Sequence, residues 1–479
     1  MSADAREEWE ILEADSMRRF HNKVARLSAA GTFLDGFDLA VIAVALPVLT
    51  DKWHLSTDMN MTVAASAVVG MLIGSAVVGR LTDKLGRKKM YFLDLLFFVV
   101  FAAATALSQD VWQLIAFRFL LGIGLGADYP ISGTLLAEFA PARRRGALMC
   151  RLGAMWFVGS ATAYIVGIAF EPLGDEAWRY MLGLGAVFAA FVMYLRRSIP
   201  ESPRWLAAEG RGEEATSVIG RMNEAGFADA DHTFAEASMA EAFRKAKEGP
   251  ADHPWQRLFS RPLLRWTLFT CGFWAMYTMM YYGITIYTPT ILNGLVNTDE
   301  RWQAYLGSAA VGLLGVAGAA LGISLVDRIG RRPLIIGAYA ATLVVLLLIA
   351  LVTAPPIGIL TLLFALAVMF ANSGPGILDF VYPTELFPTD VRATGSGLAT
   401  SVSRIGGLLG VLVFPQLIDR WGVSHAIWMF VGSAIVGTLV CVFLAPETKG
   451  RTLEDLESIV ARGALTRHGV QAPDAVEVP

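Results

Sequence analysis

The chain has 479 residues, 55% hydrophobic and only 17% charged, with 39 Lys and Arg against 42 Asp and Glu and a formal net charge of −3. Soluble domains carry about 25% charged residues, so this composition, with a mean hydropathy of +0.52, excludes a string of soluble domains and points to the bilayer. A basic nucleic-acid binder, a disordered chain and a disulfide scaffold are excluded with it, and Cys150, Cys271 and Cys441, far apart in or beside apolar runs, are expected as free thiols.

The first 20 residues are charged and amphipathic and lack the apolar centre of a cleavable signal. A membrane-crossing helix needs about 20 mostly apolar residues. Such runs fall near 27–50, 61–81, 90–108, 111–140, 147–170, 177–198, 265–292, 303–326, 333–353, 357–385, 392–418 and 424–445. The chain therefore divides into an N-terminal segment 1–26, a six-helix bundle 27–198, a linker 199–262 with one or two short surface helices, a second six-helix bundle 263–445 and a tail 446–479 that reads as flexible after about 460.

Lys and Arg crowd 79–89, 142–145, 196–265, 328–332 and both tails, whereas 51–60, 171–176, 293–302 and 419–423 carry few. The positive-inside rule then predicts cytoplasmic termini and a cytoplasmic linker, in a multi-pass plasma (inner) membrane protein.

The two bundles repeat. LTDKLGRK begins at residue 81 and LVDRIGRR at residue 325, 244 positions on; Glu138, Pro141 and Arg145 recur as Glu385, Pro388 and Arg392, each 247 positions on. Two independent motifs at nearly one offset predict an all-α membrane protein of twelve transmembrane helices in two pseudo-symmetric bundles. Parallel halves around a midplane site are an architecture of alternating-access transporters. Asp83 with Arg87, Asp327 with Arg331, Glu138 with Arg143 to Arg145, and Glu385 with Arg392 are expected to form acid–base clusters at the cytoplasmic helix ends. Such clusters latch two bundles shut and break when the bundles rock apart.

A charge at the bilayer centre costs about 2.5–3.5 kcal/mol on insertion scales, so charges inside the spans are functional candidates. In chain order they are Asp35 and Asp38 in span 1, Arg118 and Asp128 in span 4, Asp379 in span 10 and Arg404 in span 11. Asp35 and Asp38, three apart, share a helix face. Arg118 is expected to face them from the outer half of span 4, and Gly122 and Gly126 to admit a neighbouring helix. Asp128 follows those glycines, as proton carrier or substrate contact. Asp379 and Arg404 are expected at a shared depth. Tyr129, Trp156, Tyr164, Trp274, Tyr277, Tyr281, Tyr282 and Phe380 are candidate linings of a cavity, with Thr278 among them in span 7 and Asn372 as a buried amide able to orient a ligand.

The doubled D-[KR]-x-G-R-[KR] loops, RFLLGIGLG at 118–126, PESPRWL at 200–206 and PETKGRTLEDLE at 446–457 resemble the major facilitator superfamily, near its sugar-porter-like branch, over about residues 25–457. That resemblance implies a secondary transporter that usually works as a monomer. The GADYPIS run at 126–132 and FVYPTELFP at 380–388 resemble proton-coupled phosphate symporters, in which the aspartates matching Asp35 or Asp38 and Asp128 are linked to proton movement. Those symporters carry a span 7 acid between a Trp and a Tyr, where this chain has Trp274, Thr278 and Tyr282. The amides with which sugar porters read hydroxyls in spans 5 and 7 are absent too. DGFD at 35–38 resembles aromatic-acid/proton symporters, and Arg404 matches a position at which those and organic-anion transporters carry Arg. Tyr287 and Pro289 resemble the outer gate of span 7.

The expected function is therefore proton-coupled symport of a small organic anion, with Asp35, Asp38, Asp128 and Arg118 in proton coupling and Arg404 and Asp379 at the head of the substrate site. A phosphate, sugar or other metabolite carrier, or an exporter of the same fold, is the alternative. The expected partners are a small-molecule substrate, a proton and the bilayer, with no nucleic acid. The six His residues fall outside the spans or at their ends, away from Cys or carboxylates at ligand spacing, so no metal, cofactor or enzymatic activity is expected.

Overall fold

The computed structural model describes residues 18–140, 142–224, 254–296, 301–351 and 357–451, with 453, 455–456, 465–466 and 469–470 beyond them. The charged stretch 1–17, the linker over 225–253 and most of the tail lie outside the described residues.

Helices α1 (Arg18–Trp53), α2 (Thr57–Leu85), α3 (Arg87–Ala106), α4 (Val111–Phe139), α5 (Ala142–Phe170) and α6 (Ala177–Arg196) form the first bundle. Short helices Pro203–Ala208, Gly212–Glu224 and Pro254–Leu258 follow in the linker. The second bundle holds α7 (Arg261–Val296), α8 (Arg301–Ile329), α9 (Arg331–Leu351), α10, α11 (Arg392–Trp421) and α12 (Val423–Leu444). Ten described stretches are long and apolar enough to cross a bilayer; one of them, Arg144–Arg196, contains both α5 and α6, and the aromatic-rich α7 completes the twelve. Helix α10 is discontinuous, running as Ile357–Ser373, Pro375–Leu378 and Val381–Leu386. Pro375 follows the non-helical Gly374, where a proline ends hydrogen bonding to the preceding turn. Beyond the helical bundles, Leu465–Thr466 pairs antiparallel with Gly469–Val470, a two-residue exception to the all-α expectation.

The repeat has a physical basis in its turns. Gly86 (φ 99°) joins α2 to α3 and Gly330 (φ 97°) joins α8 to α9, a backbone conformation that costs any side-chain-bearing residue. A third repeated element accompanies them. Glu201 accepts backbone bonds from Arg87 (3.0 Å) and Lys88 (3.1 Å), and Glu447 accepts them from Arg331 and Arg332 (3.1 Å each). Each carboxylate thus satisfies helix N-terminal amides that have no intrahelical acceptor. These turns, the start of α1 and the end of α12 lie on one face of the molecule, the loop face.

Within the first bundle α2 packs on α4 and α1 on α5; the bundles meet chiefly along α2 with α11 and α5 with α8. A Cβ at Gly122 or Gly126 would stand 2.1 or 2.3 Å from the carbonyl oxygens of Ala67 and Met71, so the helix admitted by the span 4 glycines is α2. Apolar side chains such as Val77, Phe191, Leu313 and Val344 are exposed on the outer surface, as helices facing lipid require.

Candidate functional site

At the loop face the bundles are tied by two carboxylates, each reaching backbone amides of the opposite bundle. Asp83 of α2 accepts bonds at the start of α11, from the amides of Ala393 (3.2 Å) and Thr394 (2.7 Å) and the Thr394 hydroxyl (2.6 Å). Asp327 of α8 accepts from the Ala147 amide of α5 at 3.1 Å. Behind these contacts, Arg87 pairs with Asp83 (3.2 Å) and Glu138 (3.1 Å), and Arg331 with Asp327 (2.9 Å) and Glu385 (3.2 Å). Glu138 is also reached by Arg392 of the opposite bundle at 3.4 Å. The sequence grouped Glu138 with the basic run of its own loop and Arg392 with Glu385; packing of the α2–α3 turn against α4 brings Arg87 to Glu138, and α11 brings Arg392 to it. Arg145 donates to the backbone oxygens of Ala140 and Arg451.

Inside the first bundle, Arg118 Nη2 lies 3.2 Å from Asp38 Oδ2, both buried. Asp35, one turn earlier on α1, turns toward a different neighbourhood that includes Asp128 and Arg404, and its Oδ2 has no hydrogen-bond partner. Asp128 accepts from Arg196 Nη2 (2.9 Å) and the Ser132 hydroxyl (2.8 Å). Arg196 donates on to Asp94 of α3 at 3.2 Å and lies 3.7 Å above the ring of Tyr91.

Asp94 and Arg196 were not among the sequence candidates. Asp94 was legible as an acid inside span 3. Arg196 counted only as an orientation charge at the end of span 6. The 100° step of a helix sends adjacent residues to different faces: Arg197 is exposed, whereas Arg196 is buried and enters the bundle.

Between the bundles lies a cavity lined by Tyr129, Trp156, Trp274, Tyr277, Thr278, Tyr281, Tyr282, Asp379, Phe380 and Arg404, with Gly153, Phe157 and Gly376. Nine of the ten residues proposed for the substrate site line it; the tenth, Asn372, instead accepts the Tyr277 hydroxyl at 2.9 Å from behind. A second cavity toward Tyr164 and Thr285 shares Trp156 and Tyr282 with the first. Those two rings stack with centroids 6.3 Å apart and form the partition. Each cavity offers about 20 Å³ to the centre of a water molecule, so the site is contracted around its own aromatics.

Arg404 is the charged centre of the lining. Its Nη1 donates to the Tyr282 hydroxyl at 2.5 Å and its guanidinium lies 4.6 Å over the Tyr129 ring. Its Nε and Nη2 have no hydrogen-bond acceptor, nor does Asp379 Oδ1 have a donor. Asp379 and Arg404 line one cavity as expected, yet no ion pair joins them among the described residues. Thr278 donates to the Ser403 carbonyl at 2.5 Å, anchoring α7 beside Arg404. Toward the other face, the Tyr164 hydroxyl of α5 donates to the Thr285 carbonyl of α7 at 3.5 Å, and Tyr287 donates to Val411 O at 2.7 Å. Pro289 lies where side chains are not described. Among the described residues no group of His, Cys, Asp and Glu has the arrangement of a metal site.

A sequence model of the sugar (and other) transporter family matches residues 24–460. The inner membrane metabolite transport protein YgcS of Escherichia coli (strain K12) is 32% identical over 459 residues, covering 95% of this chain and 97% of that protein. Low affinity inorganic phosphate transporter 4 of Lotus japonicus is 29% identical over 505 residues, covering 93% and 94%. Among solved structures, the proton:xylose symporter XylE bound to 6-bromo-6-deoxy-D-glucose superposes with a TM-score of 0.81 at 22% identity, over 92% of this chain and 99% of that one.

Proposed function

This chain belongs to the sugar (and other) transporter family of the major facilitator superfamily, membrane transporters and not enzymes, and we propose that it moves a small organic anion together with a proton by alternating access. The observation that carries this reading is Arg404, buried in the inter-bundle cavity with two of its three nitrogens lacking an acceptor. A buried guanidinium with no carboxylate in direct contact is costly. An arriving carboxylate offers the planar, two-oxygen acceptor that the guanidinium fork fits. The faces of Tyr129, Trp156 and Trp274 suit the ring of an aromatic acid, and the Asp379 carboxylate, whose Oδ1 has no donor, disfavours a second anionic group.

The buried carboxylates supply the proton side. Asp94, Asp128 and Asp35 lie seven, eleven and seventeen residues from the loop-face ends of α3, α4 and α1, about 10, 17 and 26 Å along their helices. They make a stepped series from the loop face to the neighbourhood of Arg404. Protonation of Asp128 would release Arg196 to Asp94 alone, and protonation of Asp38 would release Arg118. Arrival of the anion at Arg404 compensates the charge that Asp35 otherwise faces. In this scheme the loop face is cytoplasmic, and the Asp83, Glu138, Asp327 and Glu385 contacts are the latch that opens when the bundles rock.

The deciding experiment is uptake into proteoliposomes of benzoate, inorganic phosphate and xylose, each with and without an inward proton gradient. Gradient-stimulated benzoate uptake is expected. Phosphate or xylose uptake in its place would sink the organic-anion assignment, and uptake indifferent to the gradient would sink the coupling. Phosphate is the second reading, because the same Arg404 fork suits a phosphate and a phosphate transporter is among the relatives. The Trp274, Thr278 and Tyr282 stretch, without an acid, weighs against it.

A further inference from the structure

A cavity of about 730 Å³, far larger than those between the bundles, opens on the loop face under the first bundle. Its floor comes from the starts of α1 and α3 and the ends of α2 and α6, and its wall from the first two linker helices. The charges around it are not balanced by one another. The Glu201 carboxylate is engaged by the backbone amides of Arg87, Lys88 and Ser202 at 3.0–3.1 Å. Glu214 is engaged by Arg211 at 2.6 Å. That leaves Lys23, Lys88 and Arg197 against Glu213, and among the described residues none of the three cations is paired with a carboxylate. They come from three different helices or helix ends, so their convergence is a product of the fold and not of a basic run in the sequence.

The setting of the cavity selects the ligand. Leu85, on its rim, is exposed, and the α6 residues leading to Arg197 present Phe191, Tyr194 and Leu195 to the outside. Cations at the boundary between lipid-facing apolar side chains and the aqueous surface meet lipid phosphates first. Phe20 on the floor and Trp205 on the wall give the interior an apolar surface suited to a glycerol backbone. We propose that this cavity binds the headgroup of an anionic phospholipid, its phosphate held by Lys23, Lys88 and Arg197 and its chains lying along the outer face of α6. The same three cations also suit a free phosphate; the adjoining lipid-facing surface favours the lipid. Because the wall of the cavity is the linker, and Trp205 and Arg204 of that linker bond the backbone of Asp83 and Glu138, the bound headgroup would brace the loop-face latch.

The test is thermal unfolding of the full chain in phosphatidylcholine nanodiscs with and without phosphatidylglycerol, read beside native mass spectra that count retained phosphatidylglycerol. Phosphatidylglycerol is expected to raise Tm for the wild type and for Arg261→Gln, an exposed cation on the same face outside the cavity. The combined Lys23→Gln, Lys88→Gln and Arg197→Gln variant is expected to lose most of that rise and the retained lipid, while matching the wild type in phosphatidylcholine alone. An equal rise in the combined variant, or no rise in the wild type, would overturn the site. A third arm adds inorganic phosphate to phosphatidylcholine discs; a rise equal to that from phosphatidylglycerol would overturn the lipid assignment in favour of a soluble anion.

Discussion

Asp83 of α2 and Thr394 of α11, 311 residues apart, are joined by two hydrogen bonds, 2.7 Å from the Thr394 amide and 2.6 Å from its hydroxyl. An acid from one bundle thereby serves as the N-terminal cap of a helix in the other. The cap exists only while the bundles are together at this face, so it stabilises the closed state without stabilising either bundle alone.

Loss of a helix cap costs about 1 kcal/mol, about a fivefold change in an equilibrium. Asp83→Ala should therefore shift the population toward forms open at the loop face by about that factor. Spin-label distances between α2 and α11 check it; an unchanged distribution would mean that the cap does not contribute to closure.

Glu138 accepts from Arg87 and Arg392, all three fully buried. Removing the acid takes a buried carboxylate from both Arg87, which keeps Asp83, and Arg392, and breaking a buried pair costs about 3–5 kcal/mol. Glu138→Ala should lower Tm far more than Glu214→Ala, whose pair with Arg211 is exposed. Thermal melts of the two variants side by side decide it.

Arg404 is held by one phenol and one aromatic face. Arg404→Ala should abolish anion uptake while leaving Tm within a few degrees of wild type, because no carboxylate among the described residues is in hydrogen-bond contact with it and its removal breaks no buried ion pair. Arg404→Lys should not restore uptake, since an ammonium lacks the planar fork. Normal uptake in Arg404→Ala would remove the arginine from the site.

Asp128 is the acid through which Arg196 reaches toward the cavity-side carboxylates. Asp128→Asn should keep substrate counterflow and lose accumulation against a gradient. Asp94→Asn, one step nearer the loop face, should slow accumulation less completely because Arg196 keeps Asp128 as partner. Counterflow and gradient-driven uptake measured on the same vesicles separate the two effects, and full accumulation in Asp128→Asn would remove that residue from the proton route.

Much of this protein is written locally. The twelve spans follow from hydropathy, because crossing lipid demands an unbroken apolar run with internally bonded backbone. The duplicated halves follow from motifs built around turns that only glycine enters at low cost, Gly86 and Gly330. The Asp38–Arg118 pair and the aromatic lining around Arg404 were also legible, since polar and aromatic residues in a span have few places to go but inward. What the tertiary structure decided was partnership. Asp83 caps α11, Arg87 and Arg392 converge on Glu138, Asn372 stands behind Tyr277 instead of in the cavity, and Arg196 turns inward to bridge Asp128 and Asp94. In each case the choice is made by which helices pack and at what rotation about their axes, and that rotation is set by contacts between segments as much as three hundred residues apart.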